Sequence, residues 1–207
     1  MPRKSAAVSK DRILAAAAKE FAARGYAGAN VDRIARAAHL NKAMIYYHFA
    51  SKAALYREIL NDMFGAVHAR VADVAASAAS PPDKIRDYVA AIACEAEARP
   101  HFPPIWLREI AEGGAHIDAA TVAHARAVVA ALAAIVADGQ RAGRFAPVNP
   151  LVLHGGIIAP LMFFFATARV RRRIDRDDTF GAAAMRVDAV VAHIQQLALV
   201  QLEGKVI

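Results

Sequence analysis

Apolar residues recur every three to four positions along almost the whole chain, and no stretch alternates with the period of two that a half-buried strand needs. The pattern predicts an all-α protein of about nine helices. The first is expected from Lys10 to Arg24, with Leu14, Ala17, Ala18 and Phe21 inward, Gly25 just past its end and Tyr26 as the apolar contact that follows. Two short helices come next. Asn30 caps one, which turns Val31, Ile34, Ala35 and Ala38 inward. Asn41 caps the other, Lys42 to His48, with Ile45 inward and Phe49 closing it. Ala35 supplies the small side chain that two closely crossing helices require, and this spacing is the packing pattern of a helix-turn-helix.

A long helix should start after Ser51 and run to about Ala79, where Ser80-Pro81-Pro82 stops it. Leu55, Leu60, Phe64, Val71 and Val74 line its inner side, with His68 among them as a buried histidine bonded to a backbone group. Asp83 to Ala98 reads as the next helix, with Ile85, Tyr88, Val89 and Ile92 inward. Arg99 to Pro104 then forms a rigid connector. A short helix from Ile105 to Glu112, with an Arg108/Glu112 pair at i,i+4, ends at Gly113-Gly114. Asp118 to Arg141 carries the stripe Ala125, Val128, Val129, Leu132, Ile135 and Val136, and Gly143 closes it. The last helix is expected from Thr179 to Leu202, with Ala184, Val187, Val191, Ile194 and Ala198 inward.

Between them, the 24 residues from Phe145 to Ala168 carry no formal charge, long enough for a membrane span. Pro147, Asn149 and Pro150 mark its beginning as a loop, and His154, Gly155, Gly156 and Pro160 interrupt the rest. The segment reads instead as a protein-buried helix over about 151–172, apolar on all sides. Phe163, Phe164 and Phe165 lie about 100° apart on it. One side facing the core and another facing a second subunit accounts for them.

Charge is distributed unevenly. Residues 1–60 hold eleven Lys and Arg against four Asp and Glu, a net of +7, whereas residues 61–207 hold fifteen of each. A basic head on a neutral body points to a polyanion partner for the head alone. Residues 1–9, with Arg3 and Lys4, read as a basic arm that is disordered alone and lies along DNA. The single cysteine, Cys94, cannot form an intrachain disulfide, which suits a reducing cytoplasm, and the charged N-terminus lacks the apolar core of a signal peptide. Candidate catalytic chemistry is sparse. The sequence contains no Gly-rich phosphate loop, no G-x-S-x-G elbow and no His-Glu-x-x-His. His101, His116, Glu109 and Glu112 bracket one short helix without a recognised ligand spacing, so no metal or cofactor is assigned.

The helix-turn-helix carries a more specific signature. Ile13-Leu14-Ala15-Ala16-Ala17, Phe21-Ala22-Ala23-Arg24-Gly25-Tyr26, Val31-Asp32-Arg33-Ile34-Ala35 and above all Tyr46-Tyr47-His48-Phe49 with Ser51-Lys52 resemble the N-terminal domain of the tetracycline-repressor (TetR) family of transcription regulators. His39 stands where that family usually carries glycine, and histidine tolerates the positive φ such a turn requires. The resemblance implies a three-helix DNA-binding domain over residues 1–50 and a helical ligand-binding and dimerisation domain over 51–207. It also implies a homodimer formed through the helices at about 151–172 and 179–202; with no catalytic motif and the apolar stretch interrupted, no enzymatic activity and no membrane partner are expected.

Carried over by position, Lys42, Ala43, Met44 and Tyr46 face the groove of double-stranded DNA. Tyr47, His48 and Lys52 hold phosphates, helped by the helix N-terminus at Asn30 and Val31. The expected function is a repressor that binds a palindromic operator and is released by a small, largely apolar effector. Candidate effector contacts are Phe64, His68, Tyr88, His101, Phe102, Trp106, His154, Met162, Phe163 and Phe165. The alternative reading, a membrane-associated or partner-binding helical module, rests on the uncharged stretch and the arginines after it.

Overall fold

The chain forms helices throughout, and the computed structural model describes residues 2–182 and 184–204, with side chains from Val8 onward. Among the described residues there are ten helices and no strand. They are α1 Pro2–Gly28, α2 Val31–Ala37, α3 Lys42–His48, α4 Lys52–Ala76, α5 Pro81–Ala98, α6 Phe102–Ala111, α7 Ala119–Arg141, α8 Pro150–Ala166, α9 Ala168–Ile174 and α10 Val187–Leu202. Helices α1 to α3 make a small head; the rest form the body, where α4 packs most extensively against α7. Leu55, Leu60, Tyr88, Ile92, Leu132 and Leu161 are among its fully buried residues.

Local chemistry sets the helix ends. Asn30 accepts from the N–H groups of Asp32 and Arg33, Asn41 from Met44, Ser51 from Ala54, and Asp118 from Thr121. His39 adopts φ 51° between α2 and α3, the backbone the turn demands. The departures from the sequence pattern have equally local causes. Helix α1 begins at Pro2, so the supposed arm continues the helix, since Pro at its first position costs no hydrogen bond; the side chains of Arg3 and Lys4 lie outside the described set. The expected stop at Gly25 survives as a kink, with φ 69° and ψ 176° inside a helix that runs on to Gly28. Pro81-Pro82 and Pro103-Pro104 open α5 and α6 instead of merely ending what precedes them, because first-turn residues need no intrahelical N–H partner. The apolar stretch breaks at Thr167, where α9 leaves α8 at 66°. Helix α10 starts at Val187, eight residues later than expected, because the Asp175 carboxylate captures the N–H groups of Phe180 and Ala182 and holds that segment as a turn.

By length and composition α7 is apolar enough to cross a membrane, and α8 with α9 passes only as a bent pair. In the fold, α7 seats Val128, Leu132, Ile135 and Val136 in the core of the body.

A polar cluster joins head to body. Glu109 of α6 is fully buried. Its carboxylate accepts from the Tyr56 hydroxyl at 2.8 Å, from the His116 backbone N–H at 3.2 Å and lies 2.9 Å from His116 Nδ1. The Tyr56 phenol is pushed far above its ordinary range by burial first, then by the bond to Glu109 and that group's charge. The His116 ring packs against Tyr26 with centroids 3.9 Å apart. Beside it, Arg108 donates to the Ala23 carbonyl at 3.3 Å and fills the space a side chain at Gly25 would need, its Nη1 standing 2.9 Å from that Cβ position. The expected Arg108/Glu112 pair is therefore replaced: Arg108 reaches into the head, and Glu112 lies 3.8 Å from His116.

Two stability predictions follow from this packing. A Cβ on Gly139 would lie 2.0 Å from the Phe145 ring, so Gly139→Ala should destabilise the body by about 1–3 kcal/mol, read as a lowered thermal midpoint. Tyr56→Phe removes one donor from a buried carboxylate and should cost about 1–3 kcal/mol in chemical denaturation.

Candidate nucleic-acid interface

Helix α3 buries only Ile45 and turns the rest of its surface outward. Seven residues span about 10 Å, which fits within the width of a DNA major groove. Lys42 and Ala43 are exposed, Tyr46 and Tyr47 are 48% and 74% exposed, and Met44 is half-buried against the head. The Lys42 ammonium lies 3.1 Å from Asp32, an ion pair between two half-exposed side chains. Such pairs contribute under about 1 kcal/mol, so an anionic or carbonyl acceptor on DNA can replace Asp32 at little cost. His48 is half-buried between the Tyr47 and Phe49 rings, and its Nε2 is enclosed with no hydrogen-bond partner among the described residues.

The remaining predicted DNA residues have structural duties as well. Asn30 spends its side-chain oxygen on capping α2, and its own N–H donates to Glu20 at 3.1 Å. Val31 is buried. Lys52 donates to the Ala29 carbonyl at 3.0 Å, approaches that of Ala27 at 3.5 Å and sits 4.6 Å from the Tyr26 ring centroid. An ammonium carries three donors, so one remains for a phosphate. Arg33 is held by Glu20 at 2.6 Å and by the Gly28 carbonyl at 2.6 Å, which fixes the α1–α2 corner on which α3 is carried.

The predicted effector residues do not form one site. Phe102 and Trp106 each meet Phe64 edge to face, with ring centroids 5.7 and 4.9 Å from it respectively. Only Phe64 and Trp106 reach a groove of ≈ 740 Å³ between α4, α6, α7 and the start of α8. Its other lining includes Thr121, Val122, Ala125, Arg126, Val129 and Leu151, and Arg126 is its one charged side chain. His68 pairs with His124 of α7, Nδ1 to Nδ1 at 3.2 Å, and not with the backbone. Tyr88 and His154 make a separate buried pair at 2.9 Å. Burial holds the His154 imidazole below its ordinary pKa, so it stays neutral there. The pair closes consistently if Nδ1–H donates to Tyr88, whose own proton goes to the Val128 carbonyl at 3.3 Å.

Met162 is core and Phe163 is 64% exposed on the far side of α8, while Phe165 is half-buried. His101 lies elsewhere, against α1 beside Asp11 and Leu14, with its pKa lowered first by burial and then by Arg99. Of the four groups bracketing α6, Glu109, Glu112 and His116 gather within 4.8 Å, and His101 does not join them. Sequence reasoning missed Tyr56 and Glu109 as the joint and Val122, Arg126 and Leu151 as groove lining. One signal was available: Phe102, Ile105 and Glu109 share a single inward stripe at i, i+3, i+7, and a carboxylate in that position needs a buried donor.

With this geometry in place, comparison with known proteins is direct. Residues 13–59 match the family described as bacterial regulatory proteins, tetR family, and residues 81–196 match the tetracyclin repressor-like C-terminal domain. The chain is 31% identical over 164 residues to the transcriptional repressor SCO4008 of Streptomyces coelicolor, covering 77% of this chain and 75% of that protein. It is 29% identical over 164 residues to the repressor NicS of Pseudomonas putida, covering 78% and 77%. Among solved structures, the TetR family regulator PfmR of Thermus thermophilus superposes with a TM-score of 0.71 at 26% identity, covering 91% of this chain and 97% of that one. A helix-turn-helix that presents Lys42, Tyr46 and Tyr47 outward, matched together with the helical body behind it, places this chain in the TetR family of DNA-binding transcriptional repressors.

Proposed function

We propose that the protein is a homodimer, acting in the cytoplasm, that binds a palindromic operator and is released from it by a small amphiphilic effector; we assign it no catalytic activity. The observation that carries the DNA reading is the outward face of α3, where Lys42, Ala43, Tyr46 and Tyr47 are exposed without any role in the core. Lys42, Ala43, Met44 and Tyr46 read base edges. Tyr47, His48 and the free donor of Lys52 hold phosphates beside the capped start of α2 at Asn30 and Val31. The division near residue 50 follows the same logic, with α4 serving both parts.

One reading helix makes few contacts, and two related by a twofold axis reach successive major grooves about 34 Å apart. Helix α8 supports such a pairing. Val152, Gly156, Ala159 and Phe163 recur at i, i+4, i+7 and i+11 and are exposed, and Leu197 of α10 lies beside them. A Cβ at Gly155 or Gly156 would meet nothing within 4 Å, so bare backbone is open to a second helix. The groove near Phe64 and Trp106 is the effector site in this reading. Its ≈ 740 Å³ falls within the usual size of ligand sites. Its apolar walls with Arg126 suit an apolar molecule carrying one anionic group. Because α4 and α6 both line the groove and both enter the Tyr56–Glu109 joint, a ligand that binds the DNA-incompetent arrangement more tightly shifts the heads.

Two experiments test this function. On a panel of duplexes, Tyr47→Ala should weaken binding to all sequences alike, whereas Met44→Ala should change which sequence is preferred; equal losses on every duplex for both variants would remove the assigned roles. Gly156→Trp should leave the subunit folded while sedimentation reports a monomer and operator affinity falls; a variant that stays dimeric contradicts the α8 interface.

A further inference from the structure

The short helix α9 carries a charge pattern that neither the core nor the helix-turn-helix uses. Arg171 is its anchor: it donates to the Phe164 carbonyl and to Thr167 Oγ1 at 2.9 Å, and lies 4.2 Å from the Phe164 ring centroid. With Arg171 turned inward, Arg169, Arg172 and Arg173 follow the i, i+3, i+4 spacing of one side of α9, Arg176 follows in the turn just past its end, and all four are exposed. No ion pair joins any of them to another described residue.

The neighbouring acids are engaged in shaping the loop. Asp175 is buried and accepts from Phe180 and Ala182, Asp177 is held ionised chiefly by the Thr179 hydroxyl, and Asp188 takes Arg186. Burial and the adjacent Arg172 both disfavour the charged form of Arg171. Like charges at these spacings cost a few tenths of a kcal/mol per pair, and no ion pair of these arginines among the described residues offsets it.

The position of α9 says what offsets it. At the end of α5, His101 shares a cavity with Asp11, Leu14 and Ala15 of α1, so this end of the body adjoins the head. One turn earlier, Glu97 lines a cavity with Met185, Arg186 and Val187, which places the last residues of the α8–α10 connection at that same end. Helix α9 lies in this connection, between the two helices assigned to the dimer interface.

We propose that the arginine side of α9 is a second DNA-contacting surface, which neutralises phosphates of the duplex between the two half-sites. The inference rests on the dimeric operator reading above. In a dimer built through α8 and α10, both copies of α9 flank the twofold axis on the side of the heads, facing the centre of the operator. The contact adds affinity and salt dependence without reading bases.

The test uses the full-length protein with Arg169, Arg172, Arg173 and Arg176 all changed to Ser and Arg171 retained. Circular dichroism and sedimentation check fold and assembly. Operator binding should weaken by about tenfold at moderate salt, and the slope of log affinity against log salt should fall by about one for each phosphate no longer neutralised. Base preference should stay the same. Neutral methylphosphonate linkages at the operator centre should weaken the wild type and leave the variant unchanged.

Wild-type affinity and slope in the variant overturn the proposal. So does loss of binding to phosphatidylglycerol vesicles with DNA binding intact, since the exposed Val170, Ile174 and Phe180 beside the arginines would then mark a membrane contact. A wild-type protein that prefers no inverted repeat defeats the operator reading itself, and this proposal with it.

Discussion

Glu109 carries a carboxylate into the seam between α1, α4 and α6, where none of its surface reaches water. Burying such a group costs several kcal/mol unless donors replace the lost hydration. Here the donors come from separate parts of the chain: the Tyr56 hydroxyl from α4 and the backbone of His116 from the link into α7. These bonds fix α6 and the link into α7 against the first turns of α4, the helix that leaves the head. Tyr26 and Arg108 extend the same contact to the last turns of α1. Any movement of α6 relative to α4 must break or rebuild these bonds, so the orientation of α3 and the state of the body are physically linked at this point.

The head itself follows from small constraints acting together. Ala35 lets α2 approach α3 closely, and His39 takes the positive φ that joins them. Arg33, clasped by Glu20 and the Gly28 carbonyl, and Lys52, on the Ala29 carbonyl, lock the corner from both sides. What is left over after this packing is the outer face of α3. Tyr46 and Tyr47 are exposed there, Lys42 is held only by a surface ion pair with Asp32, and the first sixty residues carry the chain's whole charge excess.

Most of this was legible in the sequence because local rules decide it. The span of α3, both of its flanking caps, the turn at His39 and the inward residues of α5 were all readable from spacing and capping chemistry. Where reading failed, a non-local partner had intervened. Asp175 withdrew two backbone amides and shortened α10, and Arg108 left its helical neighbour Glu112 for a carbonyl in α1. The effector list fared worst for the same reason. Tyr88, His101 and His154 look alike as aromatic or imidazole groups on helical stripes, yet helix packing sends them to separate places. A stripe tells which side of a helix is buried and says nothing about which cavity that side borders.

Two heads held by one paired body should read two half-sites together, and everything proposed for this protein turns on that. Selection of bound duplexes from random sequence with the purified protein, at moderate and at high salt, tests it most directly. The predicted result is recovery of an inverted repeat whose half-sites are centred about one helical turn apart. Recovery of no motif, with weak binding that vanishes as salt rises, would mean only phosphate attraction to a basic surface and would contradict it.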